Sequence, residues 1–379
     1  MDIHMFDHED VLSELNTNIP LRDKLHYIHK LLRKKFDFIE RIDVTIYDPK
    51  TDFISTFADT SKDDSPLEHY QAKLSETHAL SDILKKGRPR VVNDLEVYAK
   101  SEGEHTRRIR ASGYRSSYTM PMYLNGTFFG FVFFNSFRTN PFNQEVLHYL
   151  DVYGHLISLL IVNEIGAIQT LLAALKTARG VTHHRDIETG THLDRMSRYS
   201  QLIARELAAK YNFKDEYIEN IFLFAPLHDI GKIGVPDRVL LKPGKLNDKE
   251  YEEMKTHAEK GRQIIDEMLG NFGLDGVHHI GILRNIAQYH HEAMDGTGYP
   301  HGLQGEEIPI EARIIAVADV FDALTSRRPY KEPWSNDESF KALRLLAGKK
   351  LDRECVEALM QNRIQVEEIQ ARFKEDNFG

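Results

Sequence analysis

At 379 residues, with 41% hydrophobic and 28% charged side chains, the chain is too long for one comfortable core and too apolar for disorder, so two or three domains are expected. A formal net charge of −9 argues against a general binder of nucleic-acid polymers, which needs a basic excess or stripe, but leaves room for a small anion held by a local cluster. The single cysteine, Cys355, excludes an intrachain disulfide, fits a reducing compartment and removes thiolates as metal ligands.

The first residues, MDIHMFDHEDV, are acidic and polar, without the basic and apolar regions of a signal peptide. The most apolar run, 156–162, meets Asn163 and Glu164 short of the roughly 18 apolar residues of a membrane span. No membrane and a cytoplasmic location are expected. The first 35 or so residues read as helical, with Leu21, Leu25, Ile28, Leu31 and Leu32 at the helical period. Strands follow: Ile42, Val44 and Ile46 alternate with polar residues, and Met120, Met122 and Leu124 do so ahead of Asn125-Gly126 and the run TFFGFVFFNS. Asn-Gly between two such runs predicts a type I′ hairpin, which needs positive φ at both central residues.

On that hairpin, the strand order and the stretch GRPRVVNDL from Gly87, residues from about 20 to 160 resemble a GAF domain. The resemblance implies a six-stranded sheet flanked by helices, an α+β sensor half with a small-molecule ligand whose identity is unknown. Its scattered His69, His78 and His105 read as surface or core residues, and no haem is expected. From about 150 to 180 the chain reads as one long helix, in which Ile161, Ile165, Ile168, Leu172 and Leu175 recur at steps of four and three. Such a seam fits either a helix packed on its own domain or, our expectation, a parallel coiled coil that makes a homodimer and carries signal between domains. The expected layout is a sensor domain over 1–155, a linker helix over 156–180 and an all-α domain over 181–379.

The C-terminal half is rich in metal-ligand chemistry. Glu188 and His192, four apart on a helix, project from one face. In FAPLHDIGKIGVPD the adjacent His228 and Asp229 close an apolar run, and a carboxylate there can bridge two cations that would offset the cost of burying it. His257, the pair His290-His291 in HHEAMDGTGYP, and Asp319 complete a set of five histidines and three acids without sulfur. That donor set suits iron, manganese or zinc, and it is too large for one ion, so two or three are expected. Paired cations suit phosphoester hydrolysis, because they activate a shared water and clamp phosphate oxygens. Lys232, three residues after Asp229, is placed to protonate the leaving group or to stabilise developing charge. Gly296 and Gly298, lacking Cβ, are read as letting backbone approach a ligand.

The runs HDIGKIGVPD, KPGKL, MKTHAEKG, HHEAMDGTGYPHGLQGEEIP and ARIIAVADVFDALTSRRPYK are similar, nearly position for position, to the HD-GYP subgroup of HD metal-dependent phosphohydrolases over about 180–365. The resemblance implies an all-helical domain that hydrolyses cyclic di-GMP to the linear dinucleotide or GMP at a di- or trinuclear site, iron first and manganese second. It assigns His192, His228, Asp229, His257, His290, His291 and Asp319 as ligands, with Glu188 on a third ion and Lys232 near the attacked phosphate. Arg328 and Lys331 match residues on substrate phosphates and bases, and Asp322, Gly298 and Tyr299 are placed at the substrate rim. His278-His279 fall outside the pattern and are read as lying at a loop or helix end. A preference for cyclic GMP-AMP, or a catalytically silent receptor, are the alternative readings.

Overall fold

The computed structural model describes residues 8–61, 69–98, 104–181, 190–272, 279–327 and 332–374. The chain divides into two compact units, Met1–Ile165 and Gly166–Gly379.

In the first unit, helix α1 (Leu21–Lys35) precedes strands β1 (Arg41–Asp48), β2 (Phe53–Asp59) and β3 (Gln71–Lys73). Helix α2 (His78–Lys86), β4 (Arg90–Val92), α3 (Glu104–Ala111) and the hairpin β5 (Ser116–Leu124) and β6 (Thr127–Ser136) follow. The strands form one antiparallel sheet in the order β3-β2-β1-β6-β5-β4. Asn125 and Gly126 both take positive φ, 51° and 80°, as the I′ turn requires. The helical expectation for the first 35 residues is too generous. Residues 13–16 make only a 3-10 turn, and α1 starts after Pro20, which biases the residue before it toward extended backbone. Leu21, Leu25, Ile28 and Leu32 bury one face of α1 against Ile42, Val44, Met120, Val132 and Phe134 of the sheet.

Helix α4 (Gln144–Val181) begins in this unit, and its Val146, Leu150, Ile157, Ile161 and Ile165 complete the same core. The stretch Gln144–Thr170 is, by length and composition alone, long and apolar enough to cross a membrane, a longer stretch than the run picked out above. The core positions just named account for one of its apolar faces. The proposed seam needs the same correction. Ile161 and Ile165 are buried in the first unit's core and Ile168 in the second's, so no exposed stripe runs through them. The side chains of Leu172 and Leu175 lie outside the described residues. The large apolar side chains that α4 does expose include Val152 and Leu159.

The second unit is helical: α5 (Gly190–Tyr211), α6 (Asp215–Phe224), α7 (Asp237–Leu240), α8 (Asp248–Lys255), α9 (His257–Phe272), α10 (Ile280–Tyr289), α11 (Ile310–Thr325), α12 (Asn336–Leu346), α13 (Arg353–Gln361) and α14 (Arg363–Arg372). Capping boxes at Asn247/Glu250 and Ser335/Glu338 start α8 and α12, satisfying amides that the first helical turn leaves free. Helix α11 is apolar almost all round, with Ile314, Ile315, Val317, Ala318 and Phe321 buried, and so it runs through the core. Helices α5, α10, α12 and α13 pack against it.

Between α6 and α7 the chain makes two 3-10 turns, 225–227 and 230–234, and the second presses on the start of α9. Gly231 makes that approach possible, since a Cβ there would lie 1.8 Å from the His257 carbonyl oxygen. Gly231→Ala is therefore expected to destabilise the second unit by about 2 kcal/mol or more, by the usual cost of overpacking. A denaturant titration checks this, and a wild-type midpoint removes the close approach as a constraint.

Glu219 on α6 is buried beside Gln201 Nε2 (2.7 Å) and Arg205 (3.2 Å) of α5. Burial pushes its carboxyl up to about 7, further than Arg205 pulls it down. Between about pH 4.5 and 7 the folded state then keeps a proton that the unfolded chain has released, so this group's contribution falls as pH rises, at its steepest by about 1.4 kcal/mol per pH unit. Glu219→Gln should flatten the slope of stability against pH in that window. Parallel slopes in the two proteins would contradict the shift.

Candidate metal centre

Four separate pieces of chain bring the imidazoles together. His192 lies near the start of α5, His228 and Asp229 between the two 3-10 turns, His257 at the first residue of α9, and His290-His291 just past α10, while Asp319 projects from α11. Their ligand atoms form two groups, each with all such atoms within 4.8 Å of one another: Asp229, His257, His290 and His291 in one, His192, His228 and Asp319 in the other. Asp229 faces both. Its Oδ1 lies 3.2 Å from His257 Nε2 and 3.6 Å from His290 Nε2, and its Oδ2 lies 3.3 Å from His228 Nε2. Lys232 Nζ sits 2.6 Å from that Oδ2.

The histidines are held in the ligating form. Nδ1 of His228, His257 and His290 bonds to the carbonyl oxygens of Ala225 (2.9 Å), Met254 (2.8 Å) and Ile286 (2.9 Å). A carbonyl only accepts, so the proton is on Nδ1 and the Nε2 lone pair points inward. Burial lowers the His290 and His291 pKa values, and the neighbouring imidazoles lower His291 further, which keeps both neutral near pH 7. Burial pushes the Asp229 carboxyl up, but the Lys232 ammonium leads the groups that hold it well below the ordinary carboxylate range.

The donor set fits divalent cations. Nε2 of His257, Nε2 of His290 and Oδ1 of Asp229 are buried and make no hydrogen bond within the chain. Leaving such atoms unsatisfied costs roughly 1–3 kcal/mol each, more where charge is involved, and a cation between them removes that cost. The two groups meet at Asp229, whose oxygens face nitrogens of both. Glu188, the residue assigned to a third ion, lies outside the described residues, as do Arg328, Lys331 and His278. His279 stands at the start of α10 and faces Glu216 at 3.3 Å, in neither ligand group.

Two placements at the substrate rim are corrected. Asp322 is 1% exposed and lies behind His192, whose Nδ1 it meets at 2.7 Å. Burial pushes this carboxyl up, but hydrogen bonds from His192 and Arg195 hold it below its ordinary value. Three residues from Asp319 on one helix, it is turned to the back of the ligand rather than to a substrate. Gly298 makes no room for a ligand either, because a Cβ there would lie 2.3 Å from the Ala293 backbone nitrogen; it lets the loop fold on itself. Tyr299 lies against the ligands, its ring 4.8 Å from that of His291 and 6.2 Å from that of His257.

Two contributors escaped the sequence reading. Glu292, buried, accepts from the backbone N–H of His301 (2.7 Å) and Leu303 (3.0 Å) and so closes the loop that follows the His290-His291 pair. Arg195 grips Asp322 with two hydrogen bonds, 2.5 and 3.0 Å. Its position one turn after His192 was the available signal, since side chains three apart on a helix share a face.

Comparison with known proteins places this unit. Residues 188–355 match the family model described as HD domain. Among curated relatives, the cyclic di-GMP phosphodiesterase response regulator RpfG of Xanthomonas campestris pv. campestris is 45% identical over 198 residues, 52% of this chain and 49% of that protein. A cyclic di-GMP phosphodiesterase of Thermotoga maritima is 40% identical over 207 residues, 55% and 53% of the two chains. A 3'3'-cGAMP-specific phosphodiesterase 2 of Vibrio cholerae serotype O1 is 38% identical over 178 residues, 47% and 32%. The chain thus spans about half, or less, of the length of these relatives. A solved structure of the GAF domain/HD domain protein from Geobacter sulfurreducens is similar at 16% identity, covering 41% of this chain and 97% of that one with a TM-score of 0.32. The GAF domain from Acinetobacter phosphoenolpyruvate-protein phosphotransferase is similar at 13% identity, covering 41% and 91%, with a TM-score of 0.33. The HD domain match thus falls within the second unit.

Proposed function

We propose that this chain is a metal-dependent phosphodiesterase that hydrolyses cyclic di-GMP to the linear dinucleotide or GMP. The observation that carries the reading is Asp229, whose two carboxylate oxygens face different imidazole groups. It is joined by the activity for which relatives 40–45% identical over this half of the chain are named. Two divalent cations, iron in the first place and manganese in the second, would supply water activation and charge neutralisation at the phosphate. The first group of ligands is Asp229, His257, His290 and His291, the second His192, His228 and Asp319, with Asp229 shared.

The chain's own residues do the rest. Lys232 Nζ, 2.6 Å from Asp229 Oδ2, keeps a positive charge and a proton donor at the edge of the ligand set, where an alkoxide leaves. Tyr299, against His291 and His257, walls off one side of the ligands. Arg328 and Lys331 supply positive charge for substrate phosphate in an otherwise acidic protein, each charge-assisted hydrogen bond contributing roughly 1.5–3 kcal/mol. Glu188 adds a third ion. A cyclic GMP-AMP preference is kept as the second reading because relatives named 3'3'-cGAMP-specific phosphodiesterases are 38% identical to this half.

The first unit regulates hydrolysis by binding a small molecule, in a cytoplasmic protein that pairs along α4. Val152 and Leu159, exposed on that helix, are the side chains such pairing would cover.

Asp229→Ala is expected to lower metal content and reduce hydrolysis at least 10³-fold, while Arg328→Ala with Lys331→Ala raises KM strongly and leaves metal content unchanged. Metal analysis of anaerobically purified protein, followed by product identification with each cyclic dinucleotide, checks both. Full activity of Asp229→Ala sinks the shared-carboxylate mechanism, and an unchanged KM in the double variant moves the substrate elsewhere. Light scattering at micromolar concentration tests pairing, which a monomer with Val152 and Leu159 intact would refute.

A further inference from the structure

The ligating imidazoles are not oriented in the same way. Nδ1 of His228, His257 and His290 bonds to a carbonyl three or four residues earlier in its own segment. These rings need nothing beyond their own turn of chain. His192 has a side chain behind it instead, Asp322 of α11, 130 residues away. Asp322 is itself held from a distance. Arg195 donates through Nε to Oδ1 (2.5 Å) and through a terminal nitrogen to Oδ2 (3.0 Å), and Ser326 Oγ donates to Oδ2 at 2.9 Å. The other terminal nitrogen of Arg195 donates to the carbonyl oxygen of Phe373, at 2.9 Å, just past α14. Phe373 is in turn pinned, because the Arg198 guanidinium lies 4.1 Å from the centre of its ring. Arg195, Asp322 and His192 are all buried.

We propose that Arg195 and Asp322 are positioning residues for one ion of the pair: anchored on the Phe373 carbonyl, Arg195 fixes Asp322, and Asp322 fixes His192 with Nε2 turned to the second ligand group. The inference rests on the two-ion reading of the site. A forked guanidinium holds both oxygens of a carboxylate in one plane, which a single N–H donor does not. Carboxylates behind ligating histidines set ring orientation and basicity, and their loss typically weakens metal affinity 10- to 100-fold. Among the described residues that support reaches the group of His192, His228 and Asp319. The group of Asp229, His257, His290 and His291 has local support for its rings at His257 and His290. Phe373, just past α14, therefore belongs to the holding of the ion in the group of His192, His228 and Asp319.

The test uses the full chain, reconstituted anaerobically with manganese(II), as wild type, His192→Ala, Asp322→Asn, Arg195→Gln and Arg195→Lys. Ions per chain are counted, and a chelator titration gives the concentration that strips each ion, alongside thermal unfolding. His192→Ala marks the ion of the second group by losing it. Asp322→Asn and Arg195→Gln are expected to release that same ion at 10- to 100-fold lower chelator while the other ion stays at its wild-type value. Arg195→Lys, which keeps the charge without the fork, should recover part of the loss. Asp322→Asn preserves shape and decides the matter if an Arg195 variant fails to fold. Wild-type chelator resistance in Asp322→Asn and in every folded Arg195 variant, or loss of both ions in parallel, overturns the proposal. A wild type that binds no ion overturns instead the metal reading on which it stands.

Discussion

A carboxylate enclosed by imidazoles is the constraint on which the second unit depends. Asp229 has both oxygens directed at ring nitrogens, and with burial working against its charge only cationic partners keep it ionised. Lys232 supplies one such charge, and bound cations would supply the rest. Meeting that demand brings α5, the turns after α6, α9, the end of α10 and α11 to one point, so the helical architecture is a scaffold for a single small volume. Gly231 is part of the same demand, since only a residue without Cβ lets the Asp229 turn lie against the start of α9.

Around that volume, orientation is supplied at two ranges. Backbone carbonyls one turn away set three of the rings, which ties their ligating form to local helix geometry. Another, that of His192, is set through Asp322 and Arg195 and so depends on the packing of α5, α11 and the end of α14. Local support persists as long as a helix persists, whereas tertiary support fails with small shifts between elements. The loop after His291 is organised by a third device: Glu292 gathers two of its amides, and Gly298 permits backbone-on-backbone packing. Tyr299 is thereby delivered to the ligand rings.

The first unit solves a different problem, burying both faces of a six-stranded sheet. One face takes α1 and the first turns of α4 over an aliphatic and aromatic core. The other carries Arg41, Asp43, Thr45 and Asn135, buried and polar, with Arg41 paired to Asp43 and Asn135 Nδ2 donating to Asp43 at 2.8 Å. That pairing keeps charge inside a sheet whose strands still read as simple alternation.

Much was determined by the sequence alone, because it rests on short-range chemistry. The Asn125-Gly126 turn, the alternating strands and the side chains with ligand chemistry are local facts of residue type and spacing, and the HD-GYP resemblance added the register among the candidate ligands. Tertiary structure alone decided what each polar group faces. Asp319 and Asp322 are both acids on one helix, three residues apart, yet one joins the ligands and the other stands behind His192; nothing in their spacing separates the two roles. Gly298 looked like space for a ligand and proved to be space for the chain's own backbone. The isoleucines of α4 had the period of a dimer seam, but a period says only that one face is apolar, not which surface covers it, and Ile161 and Ile165 were already claimed by the sheet.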